Sequence, residues 1–312
     1  MSVNILGQSL NPTLTTYAKG LAQDRASALA NWIAPDVPVV MPTGKFRSFS
    51  DKNMFQAIDT ALSNDGEPNR VEFGATDGTY NCAAQALEIR INKQEMDMMA
   101  AGGDPLLLRQ NKIGTLVSSA VVSHEKAVWD YVKANTTAVA AVGNWSSANV
   151  DPITEIDAQI ATIVADTGIM PNAMAISIAA WNIMRNNPNV LKRKVYGTAP
   201  IGATLELIAS YCLNPAMQIK IGTMAYDTRK PNNADTSVKA NVIGSECFLF
   251  IRSDAPSVYD PTAFKVFRTA TGGVEAVYSY TAPNQLFEGH IVYWTRDIQK
   301  TSAYSVKRIT VS

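Results

Sequence analysis

Residues 104–135, "DPLLLRQNKIGTLVSSAVVSHEKAVWDYVKAN", constrain the fold of this chain more than any other stretch. Asp104 is a good helix N-cap, and Pro105 suits the first helical position, where its fixed φ and missing N–H cost nothing. Beyond them Ile113, Leu116, Val117, Ala120, Val121, Val128 and Tyr131 recur on one stripe at helical spacing. At about 1.5 Å per residue this helix extends ~45 Å. That is long for one globular domain, and a chain of 312 residues can divide into sub-domains around it.

The segments before the helix differ in kind. Residues 1 to about 35 read as an arm, with an Asn/Thr-rich lead, a short helix within "TTYAKGLAQDRASALANWI", a stop at Ala34-Pro35 and too few apolar residues for a core. From Val37 the pattern is β-like, "VPVVMPTGKFRSF", and after the polar interval "LSNDGEPN" it returns as "RVEFGATDGTYNCAAQALEIRIN". This predicts one long hairpin with a wide, wet tip. Two strands alone are marginal in water, so the hairpin is expected to lie on something else. A Met-rich connector, "QEMDMMAAGG", then leads into the helix.

After the long helix, "TTAVAAVGNWSSANVDP" is a linker, and Asp151-Pro152 opens a helix that Gly168 ends. A short strand "PNAMAIS", a helix "AAWNIMRNNPNV" closed by Pro188, a helix "IGATLELIASYC" and the strands "AMQIKIGTMAY" and "ECFLFI" follow. The remainder alternates at period two, with Gly272-Gly273 as a turn. β-rich flanks thus enclose an α/β middle, which defines an α+β fold with a central α/β sub-domain. The hairpin and the arm are left unsatisfied in a single subunit.

The chemistry-bearing residues are sparse. His124 and His290 stand alone on a helix and a strand, without the Ser, Cys or second His of a nucleophilic or metal site. Glu95 with Asp97, and Asp151 with Glu155 and Asp157, are explained by solvation and by acids complementing a helix N-terminus. No phosphate-binding glycine pattern occurs. Cys82, Cys212 and Cys247 are distant from one another and read as buried thiols. Lys plus Arg and Asp plus Glu both number 27, and the basic clusters in "LKRKVYG" and "YSVKRITV" are short, so strong nucleic-acid binding is not implied. Charged residues make up 17%, against roughly 25% in typical soluble proteins, which suits a surface spent largely against other protein. No enzyme, cofactor or metal is expected.

The order of these pieces is specific. "IAPDVPVVMPTGKF", a hairpin closing on "TYNCAAQALEIRI", a long helix opened by "DP", and "DPITEIDAQIATIVADTGIMPNAMAISIAAWNIMRNNPNVLKR" together resemble major capsid proteins of tailed bacteriophages, from about residue 30 to 255. The resemblance implies the Hong Kong 97-type capsid fold. Mapped here, it gives an N-terminal arm at 1–36, an extended loop at 37–92 and a peripheral domain at 93–149 with its spine helix at 104–135. An axial domain at 150–255 and a β-rich return at 256–312 complete the map.

The implied function is a major head protein that assembles as pentamers and hexamers into an icosahedral shell around double-stranded DNA, in the virion, after assembly in the bacterial host cytoplasm. Expected partners are other copies, a portal protein, a separate scaffolding protein and a decoration protein, with weak, non-specific DNA contact. Lys45, Arg47, Lys52, Asn64, Asp65, Glu67 and Arg70 of the loop are expected at subunit interfaces. Gly102 and Gly103 are expected to act as a hinge, with Asp104 and Pro105 capping the spine helix. No covalent cross-link through Lys45 or Lys52 is expected. The alternatives are an encapsulin-like shell for enzyme cargo and, from another class, an α/β enzyme.

Overall fold

A computed structural model describes residues 9–10, 14, 28–49, 60–61, 67, 75–102, 105–141, 143–193, 203–229, 238–258, 260, 262–269 and 276–311. The helices are α1 (Ala30–Ile33), α2 (Lys93–Gly102), α3 (Pro105–Asn135), α4 (Pro152–Thr167), α5 (Ile178–Asn186), α6 (Pro188–Lys192) and α7 (Leu205–Tyr211). The strands of the first half are β1 (Ser9–Leu10), β2 (Asp36–Val39), β3 (Thr43–Phe49), β4 (Ala75–Asn81), β5 (Ala83–Asn92), β6 (Ala138–Ala140) and β7 (Ala173–Ser177). Those of the second half are β8 (Gln218–Gly222), β9 (Ala225–Asp227), β10 (Lys239–Asn241), β11 (Glu246–Phe250), β12 (Phe264–Thr269), β13 (Val277–Thr281), β14 (Phe287–Lys300) and β15 (Val306–Thr310).

Helix α3 is a rod shared by two sheets. Its first half buries Ile113, Leu116, Val117 and Ala120 against Val277, Val292 and Trp294 of the β13–β14 sheet. Its second half buries Val128, Trp129 and Val132 against Phe248 and Phe250 of a different sheet. At about 100° per residue, the second stripe is turned by roughly a third of a turn from the first. The single stripe expected from the sequence therefore omits Trp129 and Val132, and Val121 and Tyr131 are half-buried.

The second sheet has the order β6-β15-β11-β7-β8. Its central strands β7 and β11 are buried at every position, because both faces are covered. Met174, Ile176, Cys247, Leu249 and Ile309 point to a core completed by Ile153, Ile156, Ile160 and Ile163 of α4. The alternate residues Ala173, Ala175, Phe248, Phe250 and Val306 point to α3. Asp151 caps α4 through Ile153 N–H at 3.1 Å, and Gly168 closes it in the left-handed region at φ 67. Pro188 begins α6 rather than merely closing α5: Asn187 caps it, accepting from Asn189 N–H at 2.8 Å. Buried Asn187 also donates to the Trp145, Ser147 and Val150 carbonyls, tying the linker onto the domain.

In the other sheet β14 is the shared member. It pairs with β13, β5 and β12, and β1 and β2 extend the outer positions. The expected single hairpin over 37–92 is divided by these pairings. β3 and β4 form a two-stranded hairpin through seven register pairs, whereas β5 joins β14 and β2 runs parallel to β12. Alternation fixes which face of a strand is apolar but not which strand lies beside it. The apolar side of β5 is satisfied by Val292 and Trp294 with α3 above them.

The end of the arm is core, contrary to the thin apolar content expected of it. Leu29, Ala30, Trp32, Ile33 and Ala34 are all buried, and Trp32 meets Phe250 edge-on with centroids 5.0 Å apart. The anchor is Glu125 on α3, nearly fully buried. Its carboxylate accepts from Leu29 N–H, Ala30 N–H and Trp129 Nε1, each at 2.8 Å. Burial raises its pKa, against the pull of those three donors. Next to it buried His124 lies 3.2 Å from an Arg296 guanidinium nitrogen. Burial, with the charges of Arg268 and Arg296, holds the imidazole pKa down to about 3.

Glu125→Ala strands three buried donors, each costing about 1–3 kcal/mol, so denaturant melts should show a loss of several kcal/mol; a change within ~0.5 kcal/mol would refute the anchor. The second prediction concerns pH. The folded chain keeps His124 neutral down to about 3, whereas the unfolded chain protonates it near 6.5, so unfolding takes up a proton between those values. Stability should fall as pH drops through this window, with up to about 1.4 kcal/mol per unit from this group. His124→Asn should flatten that part of the stability curve, and an unchanged slope would contradict the assignment.

Candidate assembly surfaces

The β3–β4 hairpin is anchored at its base. Phe46 and Tyr80 stack on Phe267 of β12, with centroids 5.3 and 4.7 Å away. Cys82 N–H donates to the Pro42 carbonyl at 2.8 Å, and Asn81 N–H to Asp297 Oδ2 at 2.7 Å. The register sets each ring over a glycine: Tyr80 opposite Gly44, and Phe46 opposite Gly78. A Cβ at either glycine would collide with the ring across from it. In sequence these glycines look like ordinary positions of a β-like run; a glycine facing an aromatic across a strand pair is the signal that could have found them.

Of the expected interface residues, Lys45 lies on β3, exposed and 3.7 Å from Asp77 Oδ2, an ion pair worth little at such exposure. Arg47 is on the same strand opposite Asp77 in register, and Glu67 is exposed. Lys52, Asn64, Asp65 and Arg70 lie outside the described residues, as do Gly103 and Asp104. Gly102 ends α2, with nothing within 4 Å of where a Cβ would stand. Pro105 is the first residue of α3. The ten-pair ladder of β5 on β14 stands between Gly102 and the hairpin.

Besides Ile178, Val238, Leu286 and Tyr304, exposed apolar side chains fall in three groups. Val40 and Met41, 92% and 66% exposed, sit in the turn that feeds the hairpin. Met98, Leu106 and Leu107 are exposed around α2 and the start of α3, and α2 itself buries no residue. Ile169, Met170 and Leu213 are exposed on two loops at one end of the five-stranded sheet. Asn214 Nδ2 ties those loops together by donating to the Pro171 carbonyl at 2.9 Å. Large contiguous patches of such side chains mark surfaces that meet protein, whereas single ones are ordinary.

Most of the candidate titratable groups are engaged in structure. Asp151 caps α4, Glu155 accepts from Trp145 Nε1 at 2.7 Å and Asp157 from Leu213 N–H at 2.8 Å. Glu95 pairs with Lys112 at 3.4 Å. His290 is wholly buried between Ser279 Oγ at 2.9 Å and Glu288 Oε1 at 3.4 Å, and burial lowers its pKa against the opposing pull of the Glu288 charge. The three cysteines are free and buried, and burial pushes the Cys212 thiol up to about 12. Among the described residues no group of three or more His, Cys, Asp or Glu is placed to hold a metal ion. No helix among them is long and apolar enough to cross a membrane.

The rod and the two sheets form a mixed helix-and-sheet fold of the Hong Kong 97 capsid type. The structure matches a phage-related protein from Bordetella bronchiseptica RB50 with TM-score 0.73 and 20% identity, covering 98% of each chain. It matches the capsid of cyanophage P-SCSP1u with TM-score 0.55 and 9% identity, over 90% of this chain and 86% of that one. The SrpI encapsulin of Synechococcus elongatus PCC 7942 gives TM-score 0.52 and 8% identity, over 91% and 87% of the two chains. In sequence, 187 residues are 22% identical to a major capsid protein of Pseudomonas phage JBD67. That match spans 59% of this chain and 59% of the length of that relative. No family model matches the chain.

If the glycine–aromatic pairs set the hairpin base, Gly78→Ala should push Phe46 off Phe267 and lower the unfolding free energy by about 1–3 kcal/mol. Denaturant melts would measure it, and a neutral result would show that the base tolerates a different packing.

Proposed function

We propose that the chain is the major head protein of a tailed phage, associating as pentamers and hexamers into an icosahedral shell around double-stranded DNA. The observation that carries this reading is the conjunction of a capsid fold over nearly the whole chain with sequence likeness to a phage major capsid protein. The hairpin supports it: a two-stranded element whose contacts among the described residues lie at its base gains burial and pairing from neighbouring copies, and closed rings satisfy every copy alike. The exposed pair Val40–Met41 beside that base is consistent with the same contact.

The role is structural rather than enzymatic. Its expected setting is the virion, after assembly in the host cytoplasm, with portal, scaffolding and decoration proteins as further partners. A formal net charge of +0 fits weak, non-specific DNA contact with counter-ions supplying most of the neutralisation. In this reading the five-stranded domain is axial, with Ile169, Met170 and Leu213 toward the ring centre. α3 is the spine, and the Gly102–Gly103 pair is a pivot between α2 and α3. A second reading, a shell that holds enzyme cargo, is favoured by the encapsulin likeness alone.

Negative-stain electron microscopy of the purified chain, alone and with the products of flanking genes, tests the proposal. Closed shells, or rings of five and six, are expected. A monomer that stays a monomer in every mixture contradicts it, and particles that hold an enzyme instead of DNA favour the second reading.

A further inference from the structure

Strand β5 pairs with β14 alone among the described residues, through ten register pairs from Ala83↔Arg296 to Asn92↔Phe287. Among the described residues, its other edge carries a row of main-chain donors and acceptors with no ladder partner. Native proteins blunt such edges with proline, unpaired charges, short length, a bulge or a covering helix or loop, whereas the charges of this strand, Glu88 and Arg90, are paired with each other. This one is ten residues long and contains no proline.

The two sides of the strand are distinct. Leu87 and Ile89 pack toward α3 and Ile91 is fully buried. Glu88 and Arg90 lie on the opposite side, and both are held in place. Arg90 Nε donates to Glu88 Oε1 at 2.8 Å, the Arg90 guanidinium sits 4.7 Å from the Phe287 ring centroid, and the Tyr280 hydroxyl donates to Glu88.

We propose that β5 is a self-pairing edge, at which two copies of this chain meet antiparallel about a two-fold axis through Ile89 and continue one sheet across both subunits. The second copy is the occupant because the strand is complementary to itself in that register. Leu87 then faces the partner subunit's Ile91, and Glu88 faces the partner subunit's Arg90. An axis at Glu88 or at Arg90 would set like charges opposite each other. A slip of one residue would put the charged side of one strand beside the apolar side of the other. The contact is isologous, so one patch serves both partners. It rests on the shell reading for the meeting of many copies, and names one of their contacts.

Disulfide trapping tests the register. Ala86 and Asn92 are exposed, on the charged side, and opposed in this pairing. Within one chain they are about 20 Å apart, at ~3.3 Å per residue, too far to bridge. The full chain carrying Ala86→Cys and Asn92→Cys should form covalent dimers on mild oxidation. Ala84→Cys with Asn92→Cys, two residues out of register, should give at least five-fold fewer.

Adding Glu88→Arg or Arg90→Glu to the first variant should suppress the dimer in each case, and mixing those two proteins should restore it, which a contact within one chain cannot explain. Absence of the dimer, equal yields in both registers, or no rescue on mixing overturns the proposal. Shells seen without the cross-link remove this contact and leave the shell reading standing. Cross-linked dimers that never form shells do the reverse.

Discussion

One helix is buried along two different sides, and both sheets pack around it. Helix α3 offers Ile113, Leu116, Val117 and Ala120 to one sheet and Val128, Trp129 and Val132 to another. Neither sheet covers itself. The five-stranded sheet has α4 on one face and needs α3 for Phe248 and Phe250 on the other. The β13–β14 sheet needs α3 for Val277, Val292 and Trp294. At the change-over, Glu125 fastens the arm through two backbone donors while His124 meets Arg296 of β14. Arm, rod and the β14 sheet are therefore joined within two adjacent residues.

That junction bears on what the molecule can do. A subunit whose two sheets share one rod keeps a fixed relation between the end that carries Ile169, Met170 and Leu213 and the end that carries the hairpin. For a shell, whose geometry must repeat over many copies, such a fixed relation is more useful than a flexible linker. The buried polar groups act in the same sense. Asn187 holds the linker, and wholly buried Lys265 donates to the carbonyls of Val258 and Asp260 at 3.1 and 3.0 Å. These contacts define one arrangement because each unpaired alternative strands a buried polar group.

Much of the fold is legible in the sequence where the physics is local. The rod shows in its 3.6-residue period, α4 in its Asp-Pro start and Gly168 stop, and β7 and β11 in short unbroken apolar runs. What is not legible depends on partners far along the chain. Alternation in residues 83–92 shows an apolar side but not that β14, about two hundred residues later, lies beside it. Trp129 and Val132 fall off the stripe because a second sheet takes over on another side of the helix. Glu125 reads as one more acid on a helix, since the donors it serves come from 95 and 96 residues away; its i,i+4 spacing to Trp129 is the one local trace of that role. For the assembly surfaces, composition signals a protein short of charge, but the exposed clusters need the fold to place them.

In the proposed function this rod-centred subunit tiles a closed shell. A cryo-electron microscopy reconstruction of purified particles, at a resolution that separates strands, tests it most directly. The five-stranded sheets are expected around the five- and six-fold axes, with Ile169, Met170 and Leu213 facing the ring centre and each β3–β4 hairpin lying on an adjacent copy. Particles with α3 or the β13–β14 sheet at the axes, or with hairpins that touch no neighbour, would contradict it.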